Sequence, residues 1–125
     1  MTSNQIGNTT EAIVLAALVK QSKTVLIPWG GGEIYDLAFE ENGILKKVQC
    51  KTGYLRSRGA VTFNTSSTHR KYGKEIDFFG VYCPQNGKIY LVPREVTCDS
   101  CTSLRVELPK NNQKKGILMA QQFEI

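Results

Sequence analysis

Histidine and tryptophan occur once each, as His69 and Trp29, and no apolar run approaches the roughly 20 residues of a membrane-spanning helix. A single histidine excludes catalytic sites built on paired histidines. The lone Cys-x-x-Cys, Cys98 to Cys101, has no second pair and no suitably spaced histidine, so a four-ligand zinc site is incomplete within one chain. That pair reads as two plain loop thiols, a redox motif or a metal clip between subunits. Cys50 and Cys83 lie in apolar strand patterns and read as buried thiols. The start of the chain, Met1-Thr2-Ser3-Asn4-Gln5, lacks the basic segment and apolar run of a secretory signal. A cytoplasmic protein without membrane contact is the expectation.

Acidic residues are also scarce. Sixteen Lys and Arg stand against eleven Asp and Glu, a net charge of +5. Such an excess in a small domain suits a polyanionic partner. Its distribution is uneven: Lys46, Lys47, Lys51, Arg56, Arg58, Arg70, Lys71 and Lys74 occupy one stretch with no acid before Glu75. The 125 residues have the length of one domain, with neither an internal repeat nor a boundary, so 1–125 reads as a single domain.

The pattern opens with a helix. Asn8, Thr9 or Thr10 can cap it, and Ala12 to Val19 is apolar almost all round, which predicts a buried helix. Strands follow at Thr24–Ile27, Ile34–Phe39 and Ile44–Lys51, the last two joined by the hairpin signal Asn42-Gly43. From Thr52 to Lys74 the chain is polar and basic, read as a long link that is either functional or mobile, with a short strand near Val61–Phe63 and a helical turn near Arg70–Lys74. Strands at Ile76–Tyr82 and Ile89–Val92 meet at Asn86-Gly87. Pro93–Ser103 reads as loop, Leu104–Leu108 as a last strand and Lys110–Lys115 as a charged link.

Asp36 is the first residue with chemical promise. It lies in Ile34-Tyr35-Asp36-Leu37-Ala38-Phe39, apolar on both sides, where a partly desolvated carboxylate needs a cation or donors. An acid capping a turn is the plainer alternative. Strand alternation sends Val48 and Cys50 to one face and Gln49 and Lys51 to the other. If Asn42-Gly43 pairs the two strands, Asp36 comes within a few residues of register with Gln49. Glu11 has two readings: Asn8-x-x-Glu11 resembles a capping box, yet Glu11 shares helical spacing with Leu15 and Leu18, which turns it toward the sheet.

A helix with Glu, a strand with Asp and a strand with Gln-x-Lys together resemble the PD-(D/E)XK nuclease superfamily. Gly7-Asn8-Thr9-Thr10-Glu11, Ile34-Tyr35-Asp36-Leu37 and Val48-Gln49-Cys50-Lys51-Thr52-Gly53 look more narrowly like its bacterial group I intron-encoded homing endonucleases. They are also similar to archaeal Holliday-junction resolvases. Likeness in Ile76–Tyr82 and Ile89–Pro93 extends the match over residues 7–93. The resemblance implies an α/β restriction-endonuclease-like core, with the N-terminal helix packed on a mixed central β-sheet. It implies site-specific, Mg2+-dependent hydrolysis of double-stranded DNA to 5′-phosphate and 3′-hydroxyl ends, with Glu11, Asp36, Gln49 and Lys51 catalytic.

In that implied site Asp36 is the principal metal ligand, with Glu11, the Gln49 side-chain oxygen and the Cys50 carbonyl nearby, while Lys51 orients water. The usual motif has Asp or Glu where this chain has Gln49. The missing charge implies weaker metal binding or more reliance on the scissile phosphate. Lys47, Thr52, Tyr54, Arg56, Ser57, Arg58, His69, Arg70, Lys71 and Lys74 form the expected DNA-binding set. Cutting both strands calls for a homodimer or a dimer of dimers. A junction resolvase, a restriction-type nuclease and an inactive nucleic-acid-binding module are the alternatives.

Overall fold

The computed structural model describes residues 1–67, 72–107 and 116–125. Helix α1 (Ser3–Lys20) starts a turn and a half before the expected caps. Its cap is Thr2, whose hydroxyl accepts from Gln5 N at 3.2 Å while Gln5 Oε1 accepts from Thr2 N at 2.8 Å. The reciprocal box that the sequence offers at Asn8 and Glu11 is therefore made six residues earlier, at Thr2 and Gln5. This leaves Glu11 in the helix interior with its side chain free of capping duty. The helix is not buried all round either. Thr10, Val14 and Leu18 are buried at four-residue spacing, whereas Ala12 and Ala16 are exposed and Val19 is half-exposed.

The first sheet runs β1 (Val25–Leu26), β2 (Leu37–Glu41), β3 (Ile44–Thr52), β6 (Phe78–Cys83) and β7 (Lys88–Pro93) in that spatial order. All neighbours are antiparallel except β3 and β6. The expectation of an N-terminal helix on a mixed central sheet holds. Asn42 and Gly43 both take positive φ, 53° and 79°, so the two-residue turn pairs Glu41 with Ile44 and sets the β2–β3 register. Val14, Leu18, Leu37, Phe39, Val48 and Cys50 form the core under the helix. Burial of each large member contributes about 1.5–3 kcal/mol.

A second sheet covers the opposite face, built antiparallel from β4 (Tyr54–Arg56), β5 (Ala60–Asn64) and β8 (Cys101–Arg105). Val61, Phe63 and Leu104 from this sheet pack with Phe79, Val81, Tyr90 and Val92 from the first. Here the structure departs from the sequence expectation in three places. Tyr54–Arg56 is a strand, not part of a polar link, because its backbone pairs with β5 while all three side chains stay exposed. The last strand starts at Cys101, three residues before Leu104, since Thr102 already packs inward. Tyr72–Lys74 is not helical. Arg70, Lys71 and the link Lys110–Lys115 lie outside the described residues. Among the described residues, no helix is long and apolar enough to cross a membrane.

Helix and sheet meet most closely at Gly80. A Cβ there would lie 2.7 Å from Val14 Cγ1 and 3.1 Å from Val48 Cγ1. Gly80→Ala is expected to destabilise the fold by about 1–3 kcal/mol through overpacking. In denaturant melts the Val14→Ala, Gly80→Ala double variant should lose less than the sum of the two single losses.

Candidate active site

The site grows from an unfinished edge of β3. Even-numbered residues of this strand turn their peptide groups toward β2, and odd-numbered ones turn toward β6. Lys47 shows the second case: its carbonyl accepts from Asp77 N at 2.8 Å, and its N–H donates to Asp77 Oδ2 at 2.8 Å. On the β2 side the ladder ends early, because β2 begins at Leu37 and not at Ile34 as the sequence suggests. Asp36 N still donates to Val48 O at 2.9 Å. Beyond it, Cys50 N donates to the Asp36 carboxylate at 2.8 Å. A side chain thus replaces the next rung, and the Cys50 carbonyl faces the same open edge.

Glu11 reaches that carboxylate from the helix. Burial first, then a hydrogen bond with Asp36 and its negative charge, raise the Glu11 carboxyl from 4.5 to about 7. Near neutrality the Glu11 carboxyl is therefore protonated for much of the time. The same surroundings push the Cys50 thiol upward, through burial and then the charges of Asp36 and Glu11. Cys50 therefore meets this edge as a neutral thiol facing α1 and as a peptide group, not as a thiolate.

Gln49 and Lys51 project on the face opposite Val48 and Cys50, as alternation predicts. Continuing the β2–β3 register by one residue sets Asp36 across from Gln49. Gln49 Oε1 is buried with no hydrogen-bond partner among the described residues, an acceptor able to take a donor or a cation. Lys51 Nζ donates to Tyr72 Oη at 3.2 Å and lies 4.8 Å from the centre of its ring. Tyr72 escaped the sequence reading, since nothing in the polar segment around it marks one tyrosine as a lysine support. Carboxylates, an amide oxygen and a carbonyl make an all-oxygen donor set, which suits a hard divalent cation. Among the described residues no cluster of three or more His, Cys, Asp and Glu forms a metal site. Any cation here must lean on the two carboxylates and on neutral oxygens.

The other expected contact residues are dispersed around this edge. Lys47 Nζ lies 5.7 Å from the Tyr35 ring centre. Thr52 Oγ1 is 2.6 Å from Thr10 Oγ1, so its hydroxyl is committed to the helix. Tyr54, Arg56, Ser57 and Arg58 lie exposed on β4 and its turn, and Lys74 is exposed as well. His69, Arg70 and Lys71 fall outside the described residues. Cys98 and Cys101 are free and exposed.

The family model for PD-(D/E)XK endonucleases matches residues 1–125, and the chain belongs to that family. Its members are nucleases that generally work with divalent metal ions. Among solved structures, the bacterial homing endonuclease I-Ssp6803I is similar, with a TM-score of 0.75 and 22% identity over 98% of this chain and 86% of that one. A likeness at that identity establishes a shared fold. Comparison with curated proteins gave no match.

The Glu11 proton has a measurable consequence without any metal. Its folded pKa lies above the unfolded value, so the folded chain binds more protons between them, and stability falls as pH rises from 4.5 through about 7. Metal-free denaturant melts from pH 4 to 8 should show this decline. Glu11→Gln should flatten it, because the amide cannot ionise.

Proposed function

We propose that the protein is a site-specific, magnesium-dependent endonuclease of the homing type. It cuts double-stranded DNA in the cytoplasm, leaving 5′-phosphate and 3′-hydroxyl ends. The observation that carries this reading is the Glu11–Asp36 carboxyl pair at the open β3 edge, with Gln49 across from Asp36 in the continued register. Family membership supports the nuclease chemistry, and the fold shared with a bacterial homing endonuclease supports the narrower type. On this reading residues 1–125 form one catalytic domain, used in two symmetry-related copies so that each strand of the duplex meets one site.

Asp36 and Glu11 would hold the ion through carboxylate oxygens, with Gln49 Oε1 and the Cys50 carbonyl as neutral donors. When bound, magnesium supplies charge neutralisation at the phosphoryl oxygens and a more acidic water. Lys51 orients the attacking water and stabilises charge that develops on the phosphoryl group. Tyr72 restrains the ammonium, through its hydroxyl and its ring face, so that Lys51 points along the edge rather than into bulk water. Gln49 in place of a carboxylate would leave the donor set one charge short, so metal binding would be weaker or would rely more on the scissile phosphate.

Supercoiled plasmid or genomic DNA incubated with magnesium should be cut by the wild-type chain and spared in EDTA. Asp36→Ala and Lys51→Ala should each lower the rate about 10²- to 10⁴-fold. Cleavage unchanged by both substitutions would place the activity elsewhere. Gln49→Glu restores the missing charge, so it should lower the magnesium concentration that gives half-maximal rate.

A further inference from the structure

We infer that the outer face of the second sheet is the surface that reads base sequence in the major groove of duplex DNA. The inference rests on the DNA-cleaving reading above and deepens it. Alternation in β5 sends Val61 and Phe63 into the core, leaving Thr62 and Asn64 on the outside. Register places Tyr54 beside Thr62 and Ser103 on its other flank, and the Thr62 and Ser103 hydroxyls meet at 3.0 Å on that outer surface. Arg56 and Arg105 flank Ala60 from opposite sides. The outer face therefore carries the Tyr54, Thr62 and Ser103 hydroxyls, the Asn64 amide, the Cys101 thiol, the small Ala60 methyl and two guanidinium groups, with no large aliphatic side chain.

Three observations say what covers it. First, Arg56 and Arg105 stand two strand spacings apart, about 10 Å, and no carboxylate pairs with either among the described residues. Like charges so held suit a polyanion. Arg105 Nε is moreover buried without a hydrogen-bond partner. Second, a cavity of about 240 Å³ joins Lys51 to Tyr54, Arg56, Thr62 and Asn64, so the face is continuous with the proposed cleavage site. A duplex engaged at Lys51 passes over these side chains.

Third, the dimensions match. The major groove is about 12 Å wide and admits a two-stranded ribbon. The β4–β5 hairpin supplies that ribbon, and β8 adds a third strand at the groove wall. Arginine donates two-pronged to a guanine edge and asparagine to an adenine edge, whereas phosphate contacts carry no sequence information. Arg56 and Asn64 are thus assigned to base edges, and Arg105, on the outer strand, to the backbone.

The test is binding selection from a randomised duplex pool, with calcium replacing magnesium so that binding is read without cleavage. The wild-type chain should enrich a motif. Arg56→Ala and Asn64→Ala should each erase preference at one or two positions and weaken binding to the wild-type motif by roughly 5- to 150-fold. Arg56→Lys, which keeps the charge but loses the two-pronged donor, should lose the preference with an unchanged salt dependence. Arg105→Ala should weaken all duplexes alike and reduce the slope of log affinity against log salt by about 1. Melting temperatures near wild type confirm that the substitutions at exposed Arg56 and Asn64, and at partly buried Arg105, leave the fold in place. If Arg56→Ala and Asn64→Ala select the wild-type motif unchanged, or the wild type binds duplex with no preference, the sheet-face assignment is wrong while the nuclease reading stands on its plasmid assay. A motif altered as described in a chain that cuts no plasmid upholds the sheet face and removes the nuclease reading. No duplex binding at all removes the sheet face.

Discussion

One hydrogen bond organises the centre of this protein: the 2.8 Å contact in which Cys50 N–H donates to the Asp36 carboxylate. It ends the β2–β3 ladder with a side chain where a strand would supply a carbonyl. A charged acceptor strengthens such a bond relative to a peptide acceptor. It also holds a carboxylate at the edge of β3, between the residues that carry Gln49 and Lys51. The peptide spacing of β3 then fixes where the amide and the ammonium lie relative to that charge. α1 adds Glu11 from its own side and packs closely on the sheet where Val14 meets Gly80.

Bringing two carboxyl groups together in a partly buried place is unfavourable while both are charged. The metal-free chain relieves this by protonating Glu11, whose carboxyl is raised to about 7. A divalent cation offers a second way to relieve it. The neutral Gln49 keeps the cost lower than a third carboxylate would, and its buried oxygen lacks a partner in the meantime. Nucleases of the PD-(D/E)XK family generally work with divalent ions; if an ion binds this edge as proposed, stability and metal affinity would be set by the same few atoms.

Much of this arrangement was legible because it depends on local rules. Asn42-Gly43 dictates a two-residue hairpin, the hairpin dictates register, and alternation dictates that Gln49 and Lys51 share a face. What escaped the sequence depends on distant partners. Tyr54–Arg56 is a strand only because β5 lies beside it, and its composition matches any solvated loop. Tyr72 gains its role from Lys51, twenty-one positions away. Glu11 was ambiguous between cap and site until the helix start was known, and Thr2 with Gln5 removed the ambiguity. The expected contact residues His69, Arg70 and Lys71 lie outside the described residues, so the basic segment is judged on Arg56, Arg58 and their neighbours.

If a divalent ion binds this carboxyl pair, it must displace the proton that Glu11 carries near neutrality. Titration calorimetry of magnesium at pH 6, repeated in buffers of different ionisation enthalpy, counts the protons released on binding. The account predicts close to one proton per ion in the wild-type chain, and none in Glu11→Gln. Magnesium binding with no proton release in the wild-type chain, or the same release in both, would contradict it.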